Sequence, residues 1–321
     1  MRLVYLAEPK YGGWVTYTAH LAIALKQHQG FATIFKEGKG ATLKEFSHGL
    51  HYYSREPAEL ISQAHQSVIT AVDKHHVETA QQMLAYGARI VIHDPNEFHP
   101  VIMETIKKKK TPVITIRESV KRVLSEHGIE STFVPHPFVS QYHGEPKKTY
   151  NAVAFSRIDF DKRTEIIVEA NKLLPAGKKI LIYGAMNRMY AFLKLNPIDA
   201  NWEKNYAGTF QKSADAAEKI AAKARFTIDL SIIKNDGGGT QYTFLEAFAQ
   251  KSHLIIHRRW LMPNGVLKDG ENCTAVETAE DLVRAISTDA NSNIIESGVR
   301  LLDAHKPAII APMFLAACKF E

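Results

Sequence analysis

Arg225-Phe226-Thr227-Ile228-Asp229-Leu230-Ser231, and then Asp236-Gly237-Gly238-Gly239-Thr240-Gln241-Tyr242-Thr243-Phe244-Leu245-Glu246-Ala247-Phe248-Ala249, set an apolar strand-like run before a glycine triplet and a helix-like segment. Glycines at such a turn let backbone N–H groups approach a phosphate, and a helix N-terminus adds about half a positive charge. Glu246, further along the helical segment, is placed to accept from both hydroxyls of a ribose. The spacing suits a nucleoside diphosphate. It equally suits a glycine-rich turn in any α/β protein, and the stretch alone leaves both readings open.

The same succession recurs along the chain. Strand-like runs are expected at Leu3–Leu6, Ala32–Phe35, Val68–Val72, Ile90–His93, Val113–Ile116 and Thr132–Val134. Between them lie amphipathic segments such as Gly13–Gln29, with Val15, Ala19, Ala22, Ile23 and Leu25 at helical spacing. Gln141–Tyr150 is polar, carries Gly and Pro, and reads as a linker. The rhythm then restarts with strands at Ala152–Phe155, Ile180–Tyr183, Tyr206–Thr209, Phe226–Leu230 and Leu254–Ile256, and helices at 163–174, 211–223 and 240–250. Alternation of this kind predicts parallel, doubly wound α/β sheets in two Rossmann-like domains, 1–145 and 150–305. The apolar final segment, about 306–321, is free to pack back on the first domain.

Composition narrows the function classes. The chain has 321 residues, of which 45% are apolar, enough for two ordinary cores. No apolar run reaches the roughly 18–20 residues that span a bilayer, and Met1–Ala7 reads as a first strand, so a cytoplasmic location is expected. Two cysteines, Cys273 and Cys318, fit neither a disulfide framework nor a metal-ligand spacing. Forty Lys and Arg against 34 acids give a net charge of +6, favouring anionic partners such as a nucleotide sugar or, peripherally, a membrane surface. A nucleic-acid partner is not expected, because no recognised binding module is present. The run Lys107–Lys110 closes a helix-like segment and complements its dipole.

In open α/β sheets ligands sit beyond the carboxyl ends of the strands. After the first strand comes Glu8-Pro9-Lys10-Tyr11-Gly12-Gly13-Trp14, which lacks G-x-G-x-x-G and so argues against a dinucleotide redox cofactor. Gly12 and Gly13 fit a phosphate-approaching loop or a tight turn. His93-Asp94-Pro95 ends the fourth strand; His93 is placed to meet a sugar hydroxyl or to serve the core. Neither His93, Asp94, Glu97 and His99 nor His75-His76 matches a metal-ligand pattern. Ser156-Arg157-Ile158-Asp159-Phe160-Asp161-Lys162 supplies two cations, Arg157 and Lys162, that either converge on a diphosphate or are surface charge. Asp161 is expected to cap the helix that follows.

Together these segments resemble a glycosyltransferase of the GT-B fold, most similar to the retaining family 4. The second-domain stretch Ser156–Lys162 is similar to the family's G-R-L-x-x-x-K loop. Ser231–Ala249 resembles its S-x-x-E-G-x-G-x-x-x-L-E-A-M-A segment. Gly12-Gly13, His93-Asp94 and Val134-Pro135-His136-Pro137-Phe138 add a looser likeness in the first domain. The resemblance implies two sheets facing across a cleft. It gives Arg157 and Lys162 the donor diphosphate, Glu246 the ribose, and Gly237, Gly238, Gly239 and Thr240 the pyrophosphate or sugar. His93 would face the transferred sugar, with Gly12 and Gly13 beside it. The family's first acid falls where this chain has Gly238; Asp236, two residues earlier, is the candidate substitute.

The activity so implied is retaining transfer of a glucose- or mannose-type hexose from a UDP- or GDP-sugar to a glycan or other hydroxyl acceptor. No metal or other cofactor is expected, because two cations and a helix terminus meet the leaving charge. A non-catalytic nucleotide-sugar or glycan-binding relative, prompted by Gly238, and a nucleotide-sugar epimerase are the alternatives. Oligomeric state is not legible.

Overall fold

The structure is a computed structural model that describes residues 1–8, 12–209, 213–232 and 237–320. The chain divides into two compact units, Met1–Val139 with Asp303–Glu321, and Ser140–Leu302.

The first unit contains strands β1 (Arg2–Leu6), β2 (Thr33–Glu37), β3 (Leu43–Glu45), β4 (His51–Arg55), β5 (Ser67–Val72), β6 (Arg89–Ile92), β7 (Val113–Thr115) and β8 (Ser131–Phe133). They form one sheet in the order β3-β4-β2-β1-β5-β6-β7-β8. Every pairing is parallel except β3 with β4 at the edge. Helices cover both faces of such a sheet, so its central strands read as unbroken apolar runs. All six residues of β5, Ser-Val-Ile-Thr-Ala-Val, are buried. Strands β3 and β4 escaped the sequence reading. β3 is a three-residue edge strand exposed throughout, Leu43 included, and β4 sets Tyr52 and Ser54 inward with Tyr53 outward, so neither shows an apolar period to detect.

The last helix, Pro307–Cys318, belongs to this unit and packs on helix Gly13–Gln29. Arg89 at the start of β6 fixes its end. The guanidinium donates to the Cys318 carbonyl at 2.9 Å and the Lys319 carbonyl at 2.9 Å, and lies 4.1 Å from the Phe320 ring. A cation there meets the partial negative charge of the helix terminus. The Lys107–Lys109 run occupies the last turn of helix Pro100–Lys109, with Lys110 in the left-handed region at φ 51.

The second unit contains β9 (Tyr150–Phe155), β10 (Ile180–Tyr183), β11 (Tyr206–Gly208), β12 (Ala224–Asp229), β13 (His253–His257) and β14 (Thr274–Val276). These form an all-parallel sheet in the order β11-β10-β9-β12-β13-β14. The strand order reverses between β9 and β12, and open α/β sheets bind ligands at such a switch point. The core beneath it includes Ala152, Ala154, Phe226, Ile228 and Ile255 from the strands and Ile167, Val168 and Leu282 from the helices. Ahead of β9, the polar segment is tied down by Glu218, whose carboxylate accepts from the Gln141 N–H at 2.7 Å and from the Ser140 hydroxyl.

Candidate functional site

Strands β9 and β12 are neighbours, so the chains leaving their carboxyl ends run side by side. The cation loop Ser156–Lys162 follows β9; Ser231 and, later, the glycine turn follow β12. Lys162 donates from its ammonium to the Ser231 hydroxyl at 2.9 Å, joining the two loops directly. Ser231 in turn donates to Asp229, and Thr243, from helix Tyr242–Ala249, donates to the other oxygen of the same carboxylate. Lys162, Ser231, Asp229 and Thr243 therefore form one chain of polar contacts from the β9 loop to the helix after the glycines.

The two cations differ in setting. Arg157 is 60% exposed and its guanidinium reaches Asp159 at 3.0 Å and Asp161 at 3.3 Å. Lys162 is 10% exposed, with Asp161 at 3.5 Å. Asp161 is thus an ion-pair partner and not the helix cap its position suggested. Arg163 holds the N-cap of helix Thr164–Leu173 in the left-handed region at φ 51, and no side chain caps that helix.

The glycine turn is held from behind by Trp260, in the short 3₁₀ turn Arg258–Trp260 after β13. Gly238 donates its N–H to the Trp260 carbonyl at 3.2 Å, and the Trp260 indole donates to the Gly239 carbonyl at 2.8 Å. Gly238 lies at φ 75, a conformation that costs other residues roughly 1–2 kcal/mol. A Cβ on Gly237 would fall 2.9 Å from the Trp260 carbonyl oxygen. The helix starts at Tyr242 behind an N-cap at Gln241, later than expected, so Gly239 and Thr240 precede its first turn. The Thr240 hydroxyl is buried, and no described residue partners it. A buried polar atom left so is costly unless a water or ligand satisfies it. Asp236 lies outside the described residues.

Glu246 sits one turn into the helix, half-buried. Burial, reinforced by the Glu218 and Asp229 carboxylates, pushes its carboxyl up to about 8. The group is largely protonated at neutral pH, and an ionised Glu246 needs a partner that favours its charge.

In the first unit, Gly12 and Gly13 follow β1 across Pro9–Tyr11, which are outside the described residues. Gly12 is the N-cap of helix Gly13–Gln29 in extended backbone, and no described atom lies within 4 Å of a Cβ on either glycine. His93 ends β6. Its Nε2 donates to the Thr70 carbonyl at 2.7 Å, which fixes the tautomer, and Tyr17 stands edge-on at 4.7 Å. Burial lowers the imidazole to about 4, so it is neutral and its Nδ1 has acceptor character. Among the described residues no group of three or more His, Cys, Asp or Glu could hold a metal ion, and His76 pairs with Asp73 at 2.7 Å.

Asp229 and Trp260 are the parts of the site that sequence reasoning missed. Asp229 carried a signal: an acid at the carboxyl end of an apolar strand, on the same side as Thr227 and Ser231. Trp260 carried none, because its role exists only once β13 has brought it beneath the turn.

No protein-family model matches the chain, and no curated protein matches it in sequence. Solved structures share its fold. Anabaena HepE in complex with UDP and glucose superposes with a TM-score of 0.73 at 13% identity, over 98% of each chain. An alpha-glucosyltransferase in complex with UDP and a mismatched DNA gives 0.71 at 12% identity over 99% of each. The lipopolysaccharide outer core galactosyltransferase WaaB gives 0.66 at 15% identity, also over 99% of each. These neighbours are GT-B glycosyltransferases, and the two-sheet α/β fold of this chain is theirs.

Proposed function

We propose that the protein is a retaining glycosyltransferase that moves a hexosyl group from a UDP-sugar, with a GDP-sugar as the alternative donor, to a hydroxyl acceptor. One observation carries the reading: Lys162 of the β9 loop meets Ser231 of the β12 loop at 2.9 Å, on the two strands that flank the switch point of the second sheet. A largely buried, pre-positioned cation, linked through Ser231 and Asp229 to the helix that follows a glycine turn with a buried hydroxyl at Thr240, suits a diphosphate. Anabaena HepE has been solved with UDP-glucose bound, which supports that choice of donor class.

In the reaction so proposed, the anomeric C–O bond to the diphosphate breaks and the sugar becomes oxocarbenium-like. The acceptor oxygen attacks from the face the diphosphate leaves, and its proton passes to a departing phosphate oxygen. Negative charge grows on the leaving diphosphate, where Lys162, Arg157 and the backbone of the glycine turn oppose it without any proton transfer of their own. Arg157 exchanges Asp159 and Asp161 for phosphate on binding; at its exposure those ion pairs hold it only weakly. The Glu246 carboxylate accepts from the ribose hydroxyls. In the other unit, the roles of His93, Gly12 and Gly13 toward the sugar and acceptor rest on the family resemblance.

Titration calorimetry with UDP-glucose and GDP-mannose tests the donor site. Binding of at least one is expected, and Lys162→Ala should weaken it by about tenfold or more, the worth of one charge-assisted hydrogen bond. No binding of any nucleotide sugar ends the proposal. Binding without transfer or donor hydrolysis, across a broad acceptor panel, would favour the non-catalytic reading.

A further inference from the structure

The second unit carries an apolar face that nothing in the proposed reaction uses. Arg188–Leu195 forms a short helix whose second half widens into a π-turn, with the Asn196 N–H reaching back to the Ala191 carbonyl at 3.0 Å. Its inward side is ordinary core: Tyr190, Ala191 and Leu195 are buried. Its outward side is not polar. Met189 is 61% exposed, Phe192 68% and Leu193 50%. Single exposed apolar residues are unremarkable, but three within five positions form a continuous patch. Phe160, 52% exposed, extends it from the cation loop, with its ring 5.0 Å from that of Tyr190.

The helix that carries most of the patch bears charge of one sign. Between Ala185 and Ile198 the only ionisable acid-or-base charges are Arg188 and Lys194, both exposed. The acids of the adjoining segments carry partners: Asp159 accepts from the Asn187 amide and pairs with Arg157, Asp161 pairs with Arg157 and Lys162, Glu165 pairs with Arg163 and accepts from the Tyr190 hydroxyl, and Asp199 accepts from the Asn201 N–H. The helix is pinned in place, because the Asn187 side chain caps it by accepting from the Met189 and Tyr190 N–H groups at 3.0 and 3.3 Å. A rigid, short helix that offers Phe, Leu and Met outward between two cations matches the chemistry of an interfacial membrane anchor. The whole chain, at +6, adds attraction to anionic headgroups.

We infer that the face formed by Met189, Phe192, Leu193 and Phe160, with Arg188 and Lys194 beside it, docks the protein on an anionic lipid bilayer. The apolar side chains enter the headgroup boundary and the two cations pair with lipid phosphates. The inference stands apart from the donor-site proposal and its test needs no nucleotide sugar. Phe160 and Lys162 share one loop, so docking sets the cation loop near the lipid surface.

Full-length protein is sedimented with vesicles of phosphatidylcholine, with and without phosphatidylglycerol. Wild type should partition onto the anionic vesicles, and added salt should release part of it. The double substitution Phe192→Ser with Leu193→Ser should lower partitioning by about tenfold or more. Arg188→Glu with Lys194→Glu should remove the salt-sensitive part. Both pairs are exposed, so unchanged thermal melting is expected and distinguishes lost docking from lost folding. Phe31→Ser, at an equally exposed site in the other unit, should bind like wild type. Absence of wild-type binding overturns the inference, as does a Phe192/Leu193 variant that binds unchanged or a Phe31 variant that loses binding equally. A wild-type dimer that this variant dissolves, without any vesicle binding, would assign the face to self-association instead.

Discussion

Glu246 is the candidate donor-site carboxyl whose chemistry its surroundings alter. Its carboxyl titrates near 8, raised chiefly by burial and further by Glu218 and Asp229. If its ionised form accepts from ribose hydroxyls, binding a nucleotide sugar must first take a proton off it. UDP-glucose has no phosphate group that titrates in this range, so its affinity should rise as pH rises from about 6 to about 8 and then level off. Calorimetry across that range in Glu246→Gln should give a flat profile. A wild-type affinity that falls with pH would mean the protonated carboxyl donates and the acceptor role is wrong. Proximity in sequence gave Glu246 its place on the helix; it gave no sign of the Glu218 and Asp229 charges, which come from other elements.

At the level of elements, the glycine turn depends on a neighbour that sequence does not place beside it. The turn and the following helix were legible from Gly237–Gly239 and the apolar run Tyr242–Ala249, although the helix start was placed too early. Glycine permits the conformation, and Trp260 selects it, through one accepted and one donated hydrogen bond. Trp260→Phe would keep the edge-on contact with Phe244, at 5.5 Å and 81°, while leaving the Gly239 carbonyl without its donor. A loss of about 1 kcal/mol of stability is expected from thermal or urea unfolding. Amide exchange at Gly239 and Thr240 should quicken more than exchange in β12. Unchanged exchange at the turn would show that the glycines hold their shape without the indole.

Across the whole molecule, buried histidines make folding sensitive to acid. His20, His48, His93, His136 and His305 in the first unit, and His253 and His257 in the second, are all held below the ordinary histidine value, burial being the first cause in each. The unfolded chain protonates them near 6.5, and the folded chain resists until about 4 for His48, His93 and His253. Stability is therefore complete above the unfolded value and is lost as pH falls through this window. Glu97 and Glu246, both raised, act in the opposite direction, but they are two against seven. The melting temperature should drop between pH 6.5 and 5, and His20→Gln should make the drop shallower. His20 suits the test because its Nδ1 accepts from the Val139 N–H at 3.2 Å, a bond a glutamine oxygen can replace. A melting temperature that is constant or rises over that interval would contradict this account.

Local pattern determined the α/β class, the parallel strands at the centre of the two sheets and the loops that carry candidate groups. Strands buried on both faces must be apolar runs, and turns that need special backbone angles must carry glycine; both constraints are written residue by residue. Tertiary structure alone decided that β9 lies next to β12, which brings Lys162 to Ser231, and that Trp260 lies under the glycines. It also decided that Arg89 closes the end of a helix more than two hundred residues away in the chain. Contacts of that kind depend on which surfaces meet when the sheets are wound. No single segment encodes them, because each partner is acceptable in sequence without the other.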